Sequence, residues 1–283
     1  MKTLLTLLAA TAMALSAQAQ ALDLSTASGR ADALLKMRCT TESQEEALLW
    51  WDGTLFAQEP GNKAVPLLRF EGYNICRPER LADGTVRLLT RELTFYRDLA
   101  TGQIIDQWDN PLSGERNDVV HVANDPVNTV IHAPGRELPL PFVRAADQLM
   151  LTLNIPLSYP NPLPPAEFPA ESSGPMYIGS EHFMFFAPLA AMEDSALTQV
   201  PVTYGWTRVG PWLPWMRLGQ RPGTLLYVAQ GNKRATVADL PADIQQRIAR
   251  DYPEYAHAPS AWVQPNATSW SEYKRLKVKT SSK

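Results

Sequence analysis

LLRFEGYNICR, Leu67 to Arg77, and VRLLTRELTFYR, Val86 to Arg97, are joined by a link containing Ala82-Asp83-Gly84. Both runs are rich in leucine, aromatic and β-branched residues, and a turn signal separates them, which predicts two strands. The link is too short for a parallel crossover, so the strands should be antiparallel. Alternation puts Arg69, Glu71 and Tyr73 on one face of the first strand, with Leu68, Phe70 and Cys76 on the other. In the second it opposes Glu92, Thr94 and Tyr96 to Leu89, Arg91, Leu93 and Phe95. An arginine inside that apolar row either points into a binding cavity or is held in an ion pair. Direct pairing of the two strands would also let Arg69, Glu71, Arg91 and Glu92 form simple cross-strand pairs.

The same extended pattern recurs on both sides. It covers Ala47–Ala57 upstream and Gln103–Trp108, Val119–Asn124, Leu149–Ile155, Met176–Ala187, Val202–Val209 and Thr224–Gln230 downstream. Pro156 to Pro169 holds six prolines and reads as a long extended loop rather than a linker, because strands resume after it without a change in composition. Helices are expected only at Asp23–Lys36 and Asp239–Tyr252, the latter capped by Asp239 with Pro241 in its first turn. The basic tail Lys274–Lys279 reads as a solvated or frayed end. About nine extended segments with so few helices predict a mainly β fold: a single antiparallel β-barrel, or a strongly bent sheet, with short peripheral helices.

Of 283 residues, 45% are hydrophobic and 19% charged, which excludes a disordered chain. A formal net charge of −3 argues against nucleic acid as a partner. Lys2, the apolar run Leu4–Leu15 and the small-residue pattern Ala17-Gln18-Ala19-Gln20-Ala21 read as a cleaved signal peptide over residues 1–21. Residues 22–283 would then form one exported domain, periplasmic or secreted, with no membrane span. The two cysteines, Cys39 and Cys76, fit either a disulfide or two buried thiols, since spacing alone does not place their Cα atoms.

Chemistry-bearing residues are scattered. His121, at a strand end beside Asn124 and Asp125, has the surroundings of a proton-transfer group. His182 is either a core histidine or a cavity residue, because the strand Met176–Ala187 is apolar on both faces and so should be covered on both. Arg91 and Tyr96 complete the candidate catalytic set. Trp108, Asn124, Tyr204, Trp206, Arg208, Trp212 and Trp215 are the candidate ligand-binding set. In that set Tyr204-Gly205-Trp206-Thr207-Arg208 and Pro211-Trp212-Leu213-Pro214-Trp215 read either as an aromatic wall for a flat molecule, with Arg208 on an anionic or carbonyl end, or as a core plug. Histidine spacing predicts no metal site, and the absence of G-x-G-x-x-G, Walker A and G-x-S-x-G patterns predicts no nucleotide cofactor and no serine-hydrolase elbow.

The chain resembles a bacterial family of exported proteins known as domain of unknown function 1838. The resemblance rests on Trp51-Asp52-Gly53, Phe70-Glu71-Gly72-Tyr73-Asn74, Arg91-Glu92 through Tyr96-Arg97-Asp98, and Trp108-Asp109-Asn110-Pro111 with Gly114-Glu115. It also includes Asn124-Asp125-Pro126-Val127-Asn128 and Trp206-Thr207-Arg208 with the Pro211–Trp215 segment, and runs from about Leu35 to Pro259. It implies one domain and assigns no catalytic roles. The residues themselves point to a small apolar, aromatic molecule in an internal cavity. If the protein is an enzyme, it is a lyase, isomerase or hydrolase that needs no cofactor. The alternatives are a carrier without chemistry and an envelope module that docks a partner through its Trp-Pro segment.

Overall fold

The computed structural model describes residues 22–281, so the expected leader at 1–21 lies outside the described residues. Helix α1 (Ala27–Arg38) is capped by Thr26, whose side chain accepts from the Gly29 amide at 3.1 Å. Strands β1 (Ala47–Gln58), β2 (Val65–Arg80) and β3 (Val86–Arg97) follow as an antiparallel meander. Six short strands come next: β4 (Gln107–Asp109), β5 (Arg116–Asp118), β6 (Val122–Asn124), β7 (Thr129–Ala133), β8 (Arg136–Glu137) and β9 (Phe142–Ala145). Then come β10 (Gln148–Pro160), β11 (Met176–Pro188), α2 (Leu189–Glu193), β12 (Thr203–Gly210), β13 (Thr224–Arg234), α3 (Ala242–Asp251) and α4 (Ser269–Ser281).

Eleven strands form one sheet in the order β8, β7, β3, β2, β1, β13, β12, β11, β10, β9, with β6 also pairing β3, while β4 and β5 form a separate hairpin. The end strands β8 and β9 are not neighbours in that order, so the closed barrel among the expectations does not form. The sheet is nevertheless curled. Phe70 on β2 and Trp206 on β12 are three strands apart, about 14 Å in a flat sheet, yet their ring centroids are 5.7 Å from each other.

The alternation seen in the sequence sorts residues onto two cores. On the concave face Leu49, Leu55, Phe70, Tyr96, Tyr177 and Phe185 belong to the main cluster. On the convex face of β1 to β3, Leu48, Tyr73, Leu93 and Phe95 pack beneath Ile244 and Ile248 of α3. The polar residues of that convex face pair across strands: Arg69 with Asp52 at 2.7 Å, and Arg97 with Glu71 at 2.7 Å.

Four local expectations are corrected. The strand expected to stop at Ile155 runs on to Pro160, because past Leu151 its outer side has no partner strand and a proline there breaks no ladder bond. Asp239 caps a single 3-10 turn with Thr236, and α3 starts after Pro241. The basic tail is helical rather than frayed, as part of α4, while Arg275 to Val278 are exposed to solvent as expected. The outer face of β11 is uncovered, with Ile178 69% exposed. Cys39 and Cys76 form a disulfide, their Cα atoms 5.9 Å apart. Among the described residues no helix is long and apolar enough to cross a membrane.

Candidate functional site

The curl encloses a cavity of about 340 Å³ on the concave face. β1 contributes Leu49 and Trp51, β2 Asn74, β3 Glu92 and β6 Asn124. Across from them stand Ile155, Leu157 and Tyr159 of β10, Glu181 and Phe183 of β11, and Tyr204, Trp206 and Arg208 of β12. Arg38 enters from the end of α1, and the segment Asn266–Trp270 at the start of α4 completes the wall. That segment is held by Asn128, whose amide donates to Asn266 Oδ1 at 2.9 Å while Asn266 Nδ2 donates back to the Asn128 carbonyl at 2.9 Å. The cavity therefore lies in the hollow of the curled sheet, with β1, β2, β3 and β6 on one side and β10, β11 and β12 on the other.

One wall is aromatic. Trp206 stacks on Phe183 at 6.0 Å and leans on Trp51 at 5.8 Å. Tyr204 is fixed by its hydroxyl, which donates to the Trp50 carbonyl at 3.0 Å. Its ring lies over Gly231, where a Cβ would come within 2.4 Å of Tyr204 Cζ. The indole nitrogens of Trp51, Trp206 and Trp270 and the carbonyl oxygens of the Asn74 and Asn124 side chains are buried without a hydrogen-bond partner. Such groups carry a desolvation cost that a polar ligand or water would relieve.

Charge is concentrated at the same place. Burial, reinforced by the like charge of Glu181, pushes the Glu92 carboxyl up to about 7 against the pull of Arg208 and Arg38. Burial opposes the charge on Arg208, but Tyr177, Glu181 and Tyr227 outweigh it and hold the guanidinium protonated well above its ordinary range. Arg208 donates to the Tyr177 hydroxyl and lies 3.5 Å from Glu181. Arg38 is depressed by burial, with Tyr204, Glu181 and Glu92 pulling the other way. A carboxyl that titrates near neutrality between two cations is equipped to give or take a proton.

The family model described as "Protein of unknown function (DUF1838)" matches residues 44–277. The chain belongs to the DUF1838 family. No curated protein matches it. The DUF1838 match reaches beyond Pro259 into α4 and spans every cavity-lining residue except Arg38.

Of the residues singled out in the sequence of this DUF1838 member, the structure brings Asn124, Tyr204, Trp206 and Arg208 to the cavity. Tyr96 faces the same side deeper in the core, near Tyr227 and packed on Trp215. The others go elsewhere. Arg91 points to the convex face, where it donates to the Glu254 carbonyl and pairs with Asp125 at 3.2 Å. His182 is exposed on the outer face of β11, one residue out of phase with Glu181. His121 is buried between Phe95 and Tyr96, accepts the Tyr96 N–H on Nδ1 at 3.2 Å, and lies 3.5 Å from Asp106. Burial first, and then Arg247, lower its proton affinity to about 4, so it is a neutral packing residue at physiological pH.

Trp108 and Trp215 pack edge to face in the main core. Trp212 donates to the Arg221 carbonyl at 2.9 Å and is likewise buried. The Trp-Pro segment is thus the core plug and offers no surface for docking a partner. Glu92, Glu181, Asn74 and Arg38 were not among the selected site residues. Alternation already placed Glu92 on the face of Tyr96, and that was the available signal for it. Arg38 comes from a helix end, and no strand periodicity marks it. Among the described residues no group of three or more His, Cys, Asp or Glu side chains is placed to hold a metal ion.

Proposed function

We propose that the cavity receives a small, flat, largely apolar molecule and that Glu92 exchanges a proton with it, in lyase, isomerase or hydrolase chemistry that uses no cofactor. The single observation behind this reading is the carboxyl of Glu92, titrating near 7 inside an aromatic cavity that also holds two guanidinium groups. A group with that proton affinity is half in each form at neutral pH, which suits it to act as acid or base. A cation beside it would steady negative charge that develops on a carbonyl or leaving oxygen. The expected site of action is the periplasm or the exterior; the leader-like N-terminus and the Cys39–Cys76 disulfide fit an oxidising compartment.

Native mass spectrometry of the protein purified from its own host would identify any co-purifying molecule. Incubated with that molecule, the wild type should convert it, and Glu92→Gln should bind it without converting it. Turnover that survives Glu92→Gln overturns the catalytic assignment. A ligand recovered unchanged from the wild type would make the protein a carrier.

A further inference from the structure

The two guanidinium groups at the cavity are not equivalent. Arg208 is committed to Tyr177 and Glu181 and lies against the faces of Tyr177, Tyr227 and Trp270. The Arg38 side chain lines the same cavity but forms no hydrogen bond or ion pair among the described residues, and its Nε is buried without a partner. Its attraction to Glu92 and Glu181 acts only at a distance. A half-buried guanidinium with no ion-pair partner is costly unless something with negative charge meets it.

The second observation lies in the wall of the same cavity. The first residues of α4, a 13-residue helix, form part of the cavity wall, with Thr268 capping through its Oγ1 the Ser271 amide at 3.1 Å. The positive end of a helix dipole therefore faces the cavity that holds Arg38. The rings of Trp51, Trp206 and Phe183 line the same cavity.

From this we infer that the ligand is an aromatic carboxylate, its acid group taken by Arg38 and its ring laid against Trp51 and Trp206. The inference rests on the reading that the cavity binds a flat small molecule, and it adds the ligand's charge and orientation. A carboxylate fits better than a phosphate or sulfate ester. Glu181 and Glu92 lie close enough to repel a dianion, whereas one negative charge balances the one uncommitted cation. A cavity of about 340 Å³ lies at the small end of ligand pockets and suits one or two rings.

The test uses benzoate, 2-naphthoate and their primary amides, titrated into the full-length protein at pH 6 by calorimetry and tryptophan quenching. The wild type should bind each carboxylate about tenfold or more tighter than its amide, the gain expected of a charge-assisted bond. Arg38→Gln should erase that preference while leaving amide binding intact, and Arg38→Lys should retain part of it. Equal affinities in the wild type overturn the assignment whether or not the variants fold, and so does a preference that survives Arg38→Gln. Amides that bind with no gain for the acids refute only the role of Arg38. If neither acids nor amides bind, the small-molecule reading falls with it.

Discussion

Glu92 on β3 and Glu181 on β11 are five strands apart in the sheet order, and Glu181 nevertheless acts on Glu92 as a like charge across the cavity. The curl of the sheet thus creates an electrostatic relationship that no local stretch contains. Its sign is testable through stability. A carboxyl raised from 4.5 to about 7 stabilises the fold fully below 4.5 and loses that contribution as pH rises through 7. Denaturant midpoints of wild type and Glu92→Gln should therefore diverge between pH 5 and 8, with the variant gaining relative to wild type by at most about 3 kcal/mol. Parallel curves would show that Glu92 titrates normally.

The two histidines make opposite predictions. His182 is exposed on the outer face, so His182→Ala should change stability by less than about 0.5 kcal/mol and leave ligand binding unaltered. His121 has its proton affinity lowered to about 4 by burial, so the stability it permits is present above its ordinary 6.5 and is lost as pH falls through 4. His121→Asn keeps an acceptor for the Tyr96 N–H and removes the titration. That variant should be less stable than wild type at pH 7 but show a shallower loss between pH 6 and 4.

These contrasts mark where sequence reasoning succeeds and where it stops. Period-two alternation was enough to separate Glu92, Thr94 and Tyr96 from Arg91, Leu93 and Phe95, and to lay out the meander. It could not say which face lines a cavity. The apolar row of β3 was compatible with a cavity or with an ion pair for Arg91, and its Leu93 and Phe95 serve a second core under α3. In β11 the apolar outer row is left open, because side-chain type records what can be buried and not what another segment covers. Arg38 is invisible for a different reason: a helix end carried to the cavity leaves no periodic trace in the strands. The Trp212–Trp215 segment was correctly kept out of the strands, and its destination in the core depends on contacts with Tyr96 and Trp108 that only the folded chain supplies.

Arg97 illustrates how the convex face is held. It meets Glu71 at 2.7 Å and Asp243 of α3 at 2.6 Å, and Glu71 also accepts from the Trp50 indole at 2.8 Å. Burial raises the Glu71 carboxyl even against the pull of Arg97. Arg97→Met should leave that carboxylate enclosed without a cation and cost about 3–5 kcal/mol at pH 8. The loss should shrink at pH 4, where Glu71 is protonated, and adding Glu71→Gln should recover part of it at pH 8. Urea midpoints of the two single variants and the double variant at both pH values check the coupling.

Gly231 controls the aromatic wall from beneath. A Cβ there would approach Tyr204 Cζ to 2.4 Å and the Trp50 carbonyl oxygen, the acceptor of the Tyr204 hydroxyl, to 2.3 Å. Gly231→Ala should therefore cost about 1–3 kcal/mol and also displace the Tyr204 ring into the cavity. Adding Tyr204→Ala relieves only the ring clash, because the backbone contact remains. A thermal melt and a 2-naphthamide titration on the single and double variants distinguish the two components; an unchanged melt for Gly231→Ala would contradict the close approach.

The disulfide joins stability to the cavity. Cys39 follows Arg38 directly and is bonded to Cys76, two residues beyond Asn74 on β2, so one covalent link holds two cavity-lining positions in place. Closing a loop across a sequence separation of 37 constrains the unfolded chain by about 4 kcal/mol. The double variant Cys39→Ser/Cys76→Ser should lose stability on that order, and fully reduced wild type should match it. If the link also positions Arg38, the preference for 2-naphthoate over its amide should fall in both, while amide affinity, set by the β1 and β12 rings, stays near the wild-type value. A preference that persists after reduction would show that packing of Leu34, Leu35 and Met37 in the core is sufficient to hold the end of α1.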